Sequence, residues 1–524
     1  MTLRLRSLGH AGLAVTHDDR SVLVDPWVGP EGAFQASWFP FPDNSHVVDD
    51  DLWSHEAVVI THEHLDHLDP WFLRRLDASV PAVIPHFPSP TLRRKILDCC
   101  DRPILELRPG EAVEVTPGIT TSFVAELSPM NHDAAAILRI GTHTIIDLND
   151  ARLSPLQLRE MRAQADGPVD VLAFQGAGAS WYPSCYDYPP ERARSIAQQK
   201  RWAKLAYTER IMAIVEPLMG MPFAGPPCFL DAELAHHNDE MDGGIFPTQD
   251  QVASWLRGRG TSNVEVLLPG DAWDLTHREL IADPARPPVD LADPATALAD
   301  YAARRRPMID AVLNRHPWPT ESLWPAFSTY FEWLLSLSPY FNDLIGMRVG
   351  FDVVGPGGGQ WSVDFRPGHE SVQSGITDTA YCYRFESRWL PRILSGDVPW
   401  EDFLLSLRFT AWRNPDQYND HLLGLLKFAD QHALEAVEAW ETVHTGADER
   451  IVVEGETGAY EVQRYCPHAG SDLLESGEVL PGDRLRCLSH HYEFDLKTGR
   501  CETGRCRPLT STRADPETAP DGDS

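Results

Sequence analysis

The feature that most constrains this chain is the stretch Thr61-His62-Glu63-His64-Leu65-Asp66-His67-Leu68-Asp69, which follows directly on Ala57-Val58-Val59-Ile60. A short run of β-branched residues that ends abruptly reads as a buried strand. The metal-capable side chains therefore sit where a strand stops. If the backbone stays extended for a few residues, period two sends His62 and His64 to one side, and a turn then brings Asp66 and His67 to face them. Three imidazoles suit zinc, iron or copper, and the added carboxylate shifts preference toward iron, manganese or a second metal.

The H-x-H-x-D-H pattern resembles the metallo-β-lactamase superfamily, whose fold is two packed sheets flanked by helices with metal at one edge. Leu8-Gly9-His10-Ala11-Gly12 and Ser21-Val22-Leu23-Val24-Asp25-Pro26-Trp27 are similar to the opening hairpin and Asp-Pro turn of its lactonase-like branch. The resemblance implies an α/β fold, an αββα sandwich, over residues 1–282. Candidate strands are Val113–Thr116, Thr120–Val124, Ala135–Ile140, Thr142–Asp147 and Val169–Phe174, with a helix over Pro190–Gly220. The superfamily brings further ligands on later loops. Here these are His132 as a fourth histidine, Asp150 (with Asp147 as its rival) as a bridging carboxylate, and Asp231, His236 or His237 as a late ligand.

With 524 residues the chain is too long for one core, and about three domains are expected. The breaker-rich stretch Asp283-Pro284-Ala285-Arg286-Pro287-Pro288 closes the first. Residues 295–432 read as a middle α+β domain, similar to sterol-carrier-like domains. Met347–Val354 and Gln360–Phe365 pair there across the Gly355–Gly359 turn, and Trp389–Leu394 and Trp400–Leu407 are amphipathic pieces.

A second cluster lies far downstream. Cys466-Pro467-His468 is followed, after 18 intervening residues, by Cys487-Leu488-Ser489-His490. Two thiolates and two imidazoles in this arrangement resemble a small all-β Rieske domain over 433–512, in which Cys holds one iron of a [2Fe–2S] cluster and His the other. A Cys₂His₂ zinc site is the rival. Gly477–Asp483 reads as a loop insertion, Cys501 and Cys506 as incidental thiols, and the acidic tail 513–524 as disordered.

The net charge of −32 argues against nucleic acid or an anionic membrane as partner. The first residues, Met1 to Leu8, lack a long apolar run, so neither a signal peptide nor an anchor is expected and the cytoplasm is the default. Nine thinly spread cysteines suit thiols and metal ligation rather than a disulfide framework.

The pair of clusters narrows the chemistry. A one-electron carrier is useless for hydrolysis, so a metal site on the same chain should be a redox-active iron that uses O₂. The pairing resembles the CMP-N-acetylneuraminate hydroxylase family, as do Gly178–Tyr186, Leu268-Pro269-Gly270-Asp271, Trp400–Arg408 and Asn414–Asn419. The module order departs from that family, because the Rieske domain comes last here. The resemblance implies one or two irons held by His62, His64, Asp66, His67, His132 and Asp150, with Asp231 standing where a family histidine is replaced. The expected activity is an O₂-dependent monooxygenase that hydroxylates or N-oxygenates a small polar metabolite. Its catalytic residues would be His62, His64, Asp66 and His67, and its cluster ligands Cys466, His468, Cys487 and His490. Zinc remains the alternative metal, and a lactone or amide hydrolase with a redox-sensing cluster the alternative function. No dinucleotide fingerprint occurs, so electrons would come from an external ferredoxin or NAD(P)H-dependent reductase. A homo-oligomer is compatible with all of this.

Overall fold

The computed structural model describes residues 3–514, apart from 128, 166, 177–179, 242–245, 292, 370, 417, 446–447, 469, 489–491 and 505. His490, His491 and the acidic tail from 515 onward lie outside the described residues, as do Gly178 and Ala179.

Two sheets face each other in the first domain. One runs, in spatial order, Glu279–Ile281, Ala272–Asp274, Leu3–Gly9, Gly12–His17, Arg20–Val24, Ala57–Val59, Ala82–Pro85 and Ile104–Leu107. The other runs Met219–Phe223, Val171–Gln175, His143–Asp147, Ala134–Ile140, Ile119–Ala125 and Ala112–Thr116. Their inner faces interlock through Leu5, Leu13, Val22, Val58, Phe123, Leu138 and Ile145. The helices Pro155–Gln164, Pro190–Val215 and Gln249–Gly258 share a second core with the outer face of the six-stranded sheet. This is the αββα sandwich that the motif implied.

The metal motif leaves the sheet where Arg20–Val24, Ala57–Val59 and Ala82–Pro85 run parallel. In the other sheet, His143–Asp147 and Val171–Gln175 are likewise parallel. The carboxyl ends of parallel strands, where loops diverge, form the crevice in which α/β folds gather their ligands. The helix predicted to reach Gly220 stops at Val215, because Glu216 is left-handed (φ +49°) and Pro217 cannot continue a helix; Met219–Phe223 is a strand instead.

The middle region is an α+β unit. Its sheet is ordered Val372–Ser374, Gly359–Asp364, Arg348–Val354, Tyr381–Glu386, Phe409–Arg413, with the expected hairpin pairing Arg348–Val354 to Gly359–Asp364. Gly357 (φ +71°) would drive a Cβ to 2.3 Å from the Glu321 carbonyl oxygen, so only glycine closes that turn. The helix Ala295–Asn314 packs back on the first domain, with Tyr301, Ile309 and Val312 against Phe39, Phe41, Cys228 and Leu230. Trp27, Phe34, Trp38 and Phe229 of the first domain share one core with Phe327, Phe351, Trp400 and Phe403 of the middle region.

The C-terminal unit consists of two three-stranded sheets, Arg450–Glu454, Ala459–Gln463, Ser511–Arg513 and Gly477–Leu480, Arg484–Cys487, Glu493–Asp495. The expected insertion at Gly477–Asp483 is no loose loop. Gly477–Leu480 pairs antiparallel with Arg484–Cys487, and Gly482 (φ +83°) and Asp483 (φ +56°) make the turn between them. Among the described residues, no helix is long and apolar enough to cross a membrane.

Candidate metal centres

Each imidazole of the motif is held by a neighbour chosen by the fold. Asp25, left-handed (φ +43°) just past the strand Arg20–Val24, accepts from the Thr61 N–H (2.9 Å) and hydroxyl (2.5 Å) and lies 2.8 Å from His67 Nδ1. This fixes the ring and leaves His67 Nε2 for another partner, the arrangement by which a carboxylate orients a metal-binding histidine. Asp69 caps the next helix through Trp71 and Phe72 and also accepts from Val28 and Gly29. The motif loop is thus fixed at both ends.

Three groups of metal-competent side chains result, each with ligand atoms within 4.8 Å of one another: His62, His64 and Asp133; His10, Asp66 and His67; and Asp25, His62 and His67. The last overlaps the orienting contact just described. The first two form adjacent sites, since the His62 and His67 rings are 4.0 Å apart. Asp150 Oδ1 lies 3.5 Å from His67 Nε2, and Asp147 is the buried last residue of its strand. His62 Nε2, His64 Nε2 and His67 Nε2 are buried with no hydrogen-bond partner among the described residues. Buried polar atoms without partners are rare enough to need a reason, and a metal supplies one.

Electrostatics agree with a site built for cations. Burial pushes His62 well down, helped by the His67 and His64 charges beside it. Burial acts on His67 in the same sense, but Asp150 and Asp66 outweigh it and hold this ring well above the usual histidine range. His64 is likewise opposed by burial yet raised to about 9 by Glu401, whose Oε1 lies 3.4 Å from its Nε2. Asp66 is pushed up by burial and pulled far lower by His67 and His10. Metal binding would replace these protons.

Two sequence expectations fall elsewhere, and a third keeps a ligand's form. His132 pairs through Nδ1 with Glu63 (3.2 Å), stacks on Phe87 at 4.9 Å and keeps a buried Nε2 with no hydrogen-bond partner among the described residues, while its neighbour Asp133 faces His62. Asp231 forms a buried ion pair with Arg408 (2.8 Å, each side chain 3% exposed), and a compensated buried charge of this kind has no need of a metal. His236 and His237 lie with ring centroids 4.0 Å apart at a tilt of 37° and line a separate cavity of about 360 Å³ with Arg408 and Trp389.

Sequence reasoning missed His10 and Glu401. His10 sits left-handed (φ +50°) in the first hairpin turn, with Nε2 2.9 Å from Asp66 Oδ2. The strand Met219–Phe223, after which a late ligand was expected, ends at Ala224, whose N–H donates to the His10 carbonyl. His10 is therefore brought beside Asp66 and His67 from the other end of the domain. The glycine-flanked Gly9-His10 turn was the available signal. Glu401 comes from the middle region and is held by Lys427 at 2.9 Å, and no local pattern announces it.

In the C-terminal unit, Cys466, His468 and Cys487 are all buried, on two loops closed by Gly470 N–H to the Cys466 carbonyl and Cys487 N–H to the Tyr492 carbonyl. His468 gives Nε2 to Asp420, which also accepts from the Tyr492 hydroxyl, and its ring stacks on Tyr492 at 4.0 Å. A neutral imidazole that donates through Nε2 presents Nδ1 as its ligand atom. Two buried thiols and an oriented imidazole are three of the four donors that a Rieske [2Fe–2S] cluster requires, and the expected fourth, His490, lies outside the described residues. Cys506 lies close enough to affect the Cys466 thiol, and its hydrogen bond draws Cys501 down to about 7, so this pair adjoins the cluster loops.

Comparison with known proteins agrees with this geometry. Residues 427–512 match the Rieske [2Fe-2S] domain, and residues 20–177 match the β-lactamase superfamily domain. A protein of Mycolicibacterium smegmatis named as a Rieske 2Fe-2S iron–sulfur protein is 30% identical over 526 residues, covering 97% of this chain and 99% of that protein. The chain belongs to this family. A Mycobacterium tuberculosis member is 30% identical over 535 residues, 98% of this chain and 100% of the relative. The Rieske domain of the family carries the [2Fe–2S] cluster, and these names state no substrate. Among solved structures, the diiron β-hydroxylase CmlA from Streptomyces venezuelae is similar over 54% of each chain (16% identity, TM-score 0.35), too loosely to bear on the reaction.

Proposed function

We propose that this protein is an O₂-dependent iron oxygenase acting on a small polar metabolite, with its metal centre in the lactamase-like domain and its Rieske cluster as electron donor. The observation that carries this reading is the convergence of His62, His64 and Asp133 in a chain that also holds a Rieske domain. Two imidazoles and one carboxylate with open positions serve non-heme iron oxygenases and zinc hydrolases alike, so the Rieske domain, a one-electron carrier of no use to hydrolysis, is what favours iron. Iron so held would supply O₂ activation, drawing one electron at a time from the cluster.

The chain's own residues supply the rest. His10, Asp66 and His67 offer a second site beside the first, and Asp150 faces it. Asp25 holds His67 by Nδ1, and Glu63 holds His132. His62 and His67 are fully buried and Asp66 nearly so, which excludes bulk water from the side of the ligands facing the core. Electrons would enter from an external ferredoxin or NAD(P)H-dependent reductase.

Metal analysis of the purified chain tests the reading. About four iron with little zinc is expected, two for the cluster and two for the lactamase-domain sites. Two iron plus zinc would favour a hydrolase and overturn the proposal.

A further inference from the structure

One helix touches both centres. Asp420–Phe428 belongs to the middle region, and its first residue, Asp420, accepts from His468 and Tyr492 at the cluster. At its other end Lys427 lies 2.9 Å from Glu401 Oε1, which is itself 3.4 Å from His64 Nε2. Phe428, the last residue, packs on His132 with ring centroids 4.7 Å apart. Rising about 1.5 Å per residue, this helix separates its ends by about 12 Å, and the side-chain contacts at each end carry it on to the two centres.

The helix is also rigidly held. Asn419 caps it by accepting from Leu422 N–H (2.9 Å), and His421 is buried against Glu441 (3.0 Å), which accepts from the Tyr340 hydroxyl. Leu422, Leu425, Leu426 and Phe428 are buried in the core shared by the first and middle regions. The separation of the two centres is therefore set by packing.

Resting on the function proposed above, we propose that electrons pass within a single chain along Asp420–Phe428, and that Asp420 is the positioning residue that couples His468 to this route. In the transfer the reduced cluster is oxidised by one electron and a ferric ion of the lactamase-domain centre is reduced to ferrous. A ferredoxin-type donor then restores the cluster.

The test uses the full-length, iron-loaded protein, its cluster pre-reduced with dithionite and the excess removed, then mixed with oxygenated buffer while cluster absorbance is followed. Reoxidation should be independent of protein concentration in the native chain and at least tenfold slower in D420N. The D420N cluster potential should shift positive, because removal of a negative charge beside the cluster favours the reduced state. D420E should restore both. Y492F strips one donor from the same carboxylate, which then draws harder on the His468 N–H, and should shift the potential the opposite way; it serves also if D420N fails to assemble its cluster. A native rate and unshifted potential in D420N, an unshifted potential in Y492F, or a rate proportional to protein concentration would overturn the route. The double variant H62A/H64A separates this failure from that of the function. If its cluster reoxidises like the native one, the acceptor is not in the lactamase-like domain and the oxygenase reading falls. If H62A/H64A is slowed and D420N is not, that reading stands and the helix route falls.

Discussion

The two centres solve one problem differently. In the lactamase-like domain, the carboxylate that orients His67 is Asp25, from the end of the strand next to the motif's own in the same sheet, and it is buried with the motif itself. In the Rieske unit, the carboxylate that orients His468 is Asp420, outside the small sheets that carry the cysteines. A large sandwich has interior to spare for its own supporting residues. A small domain has little interior and takes its support from a neighbour.

The largest effect that would break this comparison is expected from C466S. With one of its two thiolates gone, the cluster's visible and EPR signals should vanish and substrate turnover with them, while metal in the lactamase-like domain is retained. Unchanged turnover would mean that the two centres work independently. D133N comes next: with the carboxylate facing His62 neutralised, iron should fall from about four per chain to about three while the cluster spectrum persists. D25A should be milder, because it removes only the orienter of His67. Metal affinity measured by chelator competition should fall about 10- to 100-fold, with no change in ligand identity.

The smallest effect concerns Lys200, whose ammonium donates to the Tyr182 carbonyl at 3.1 Å. Burial, with Arg152 and Arg413 nearby, lowers it to about 7. Between about pH 7 and its ordinary range near 10.5, the unfolded chain binds more protons at this position, so its stability contribution rises with pH across that window. K200M should therefore raise the melting temperature by a few degrees at neutral pH or below, with the gain shrinking to nothing as pH approaches 10.5. A gain that grows with pH would show the sign to be wrong.

What was legible in the sequence was local. His62 through His67, and Cys466-Pro467-His468, each lie within a single turn, where spacing along the chain nearly fixes spacing in space. The alternation of strands and helices was equally plain, since a β-branched run must be buried wherever it goes. His10, Asp133, Glu401 and Asp420 were not legible, because each acquires its role from a tertiary neighbour: Asp66, His62, His64 and His468 respectively. His132, legible by residue type, is held by Glu63 through Nδ1 with its Nε2 buried and without a hydrogen-bond partner among the described residues. The helix end at Val215 was missed although Pro217 was its marker, because the hydrophobic spacing ran on past it.

The apolar core that joins Trp27, Phe34, Trp38 and Phe229 to Phe351, Trp400 and Phe403 has a practical corollary. A fragment cut after residue 282 would keep the whole H-x-H-x-D-H motif and both of its sheets, yet lay bare several large aromatic rings that the native chain never shows to water. Such a piece would be sticky before it was active. The smallest portion of this gene product worth expressing for metal work therefore runs well past the lactamase-like region, to the end of the helix that carries Lys427.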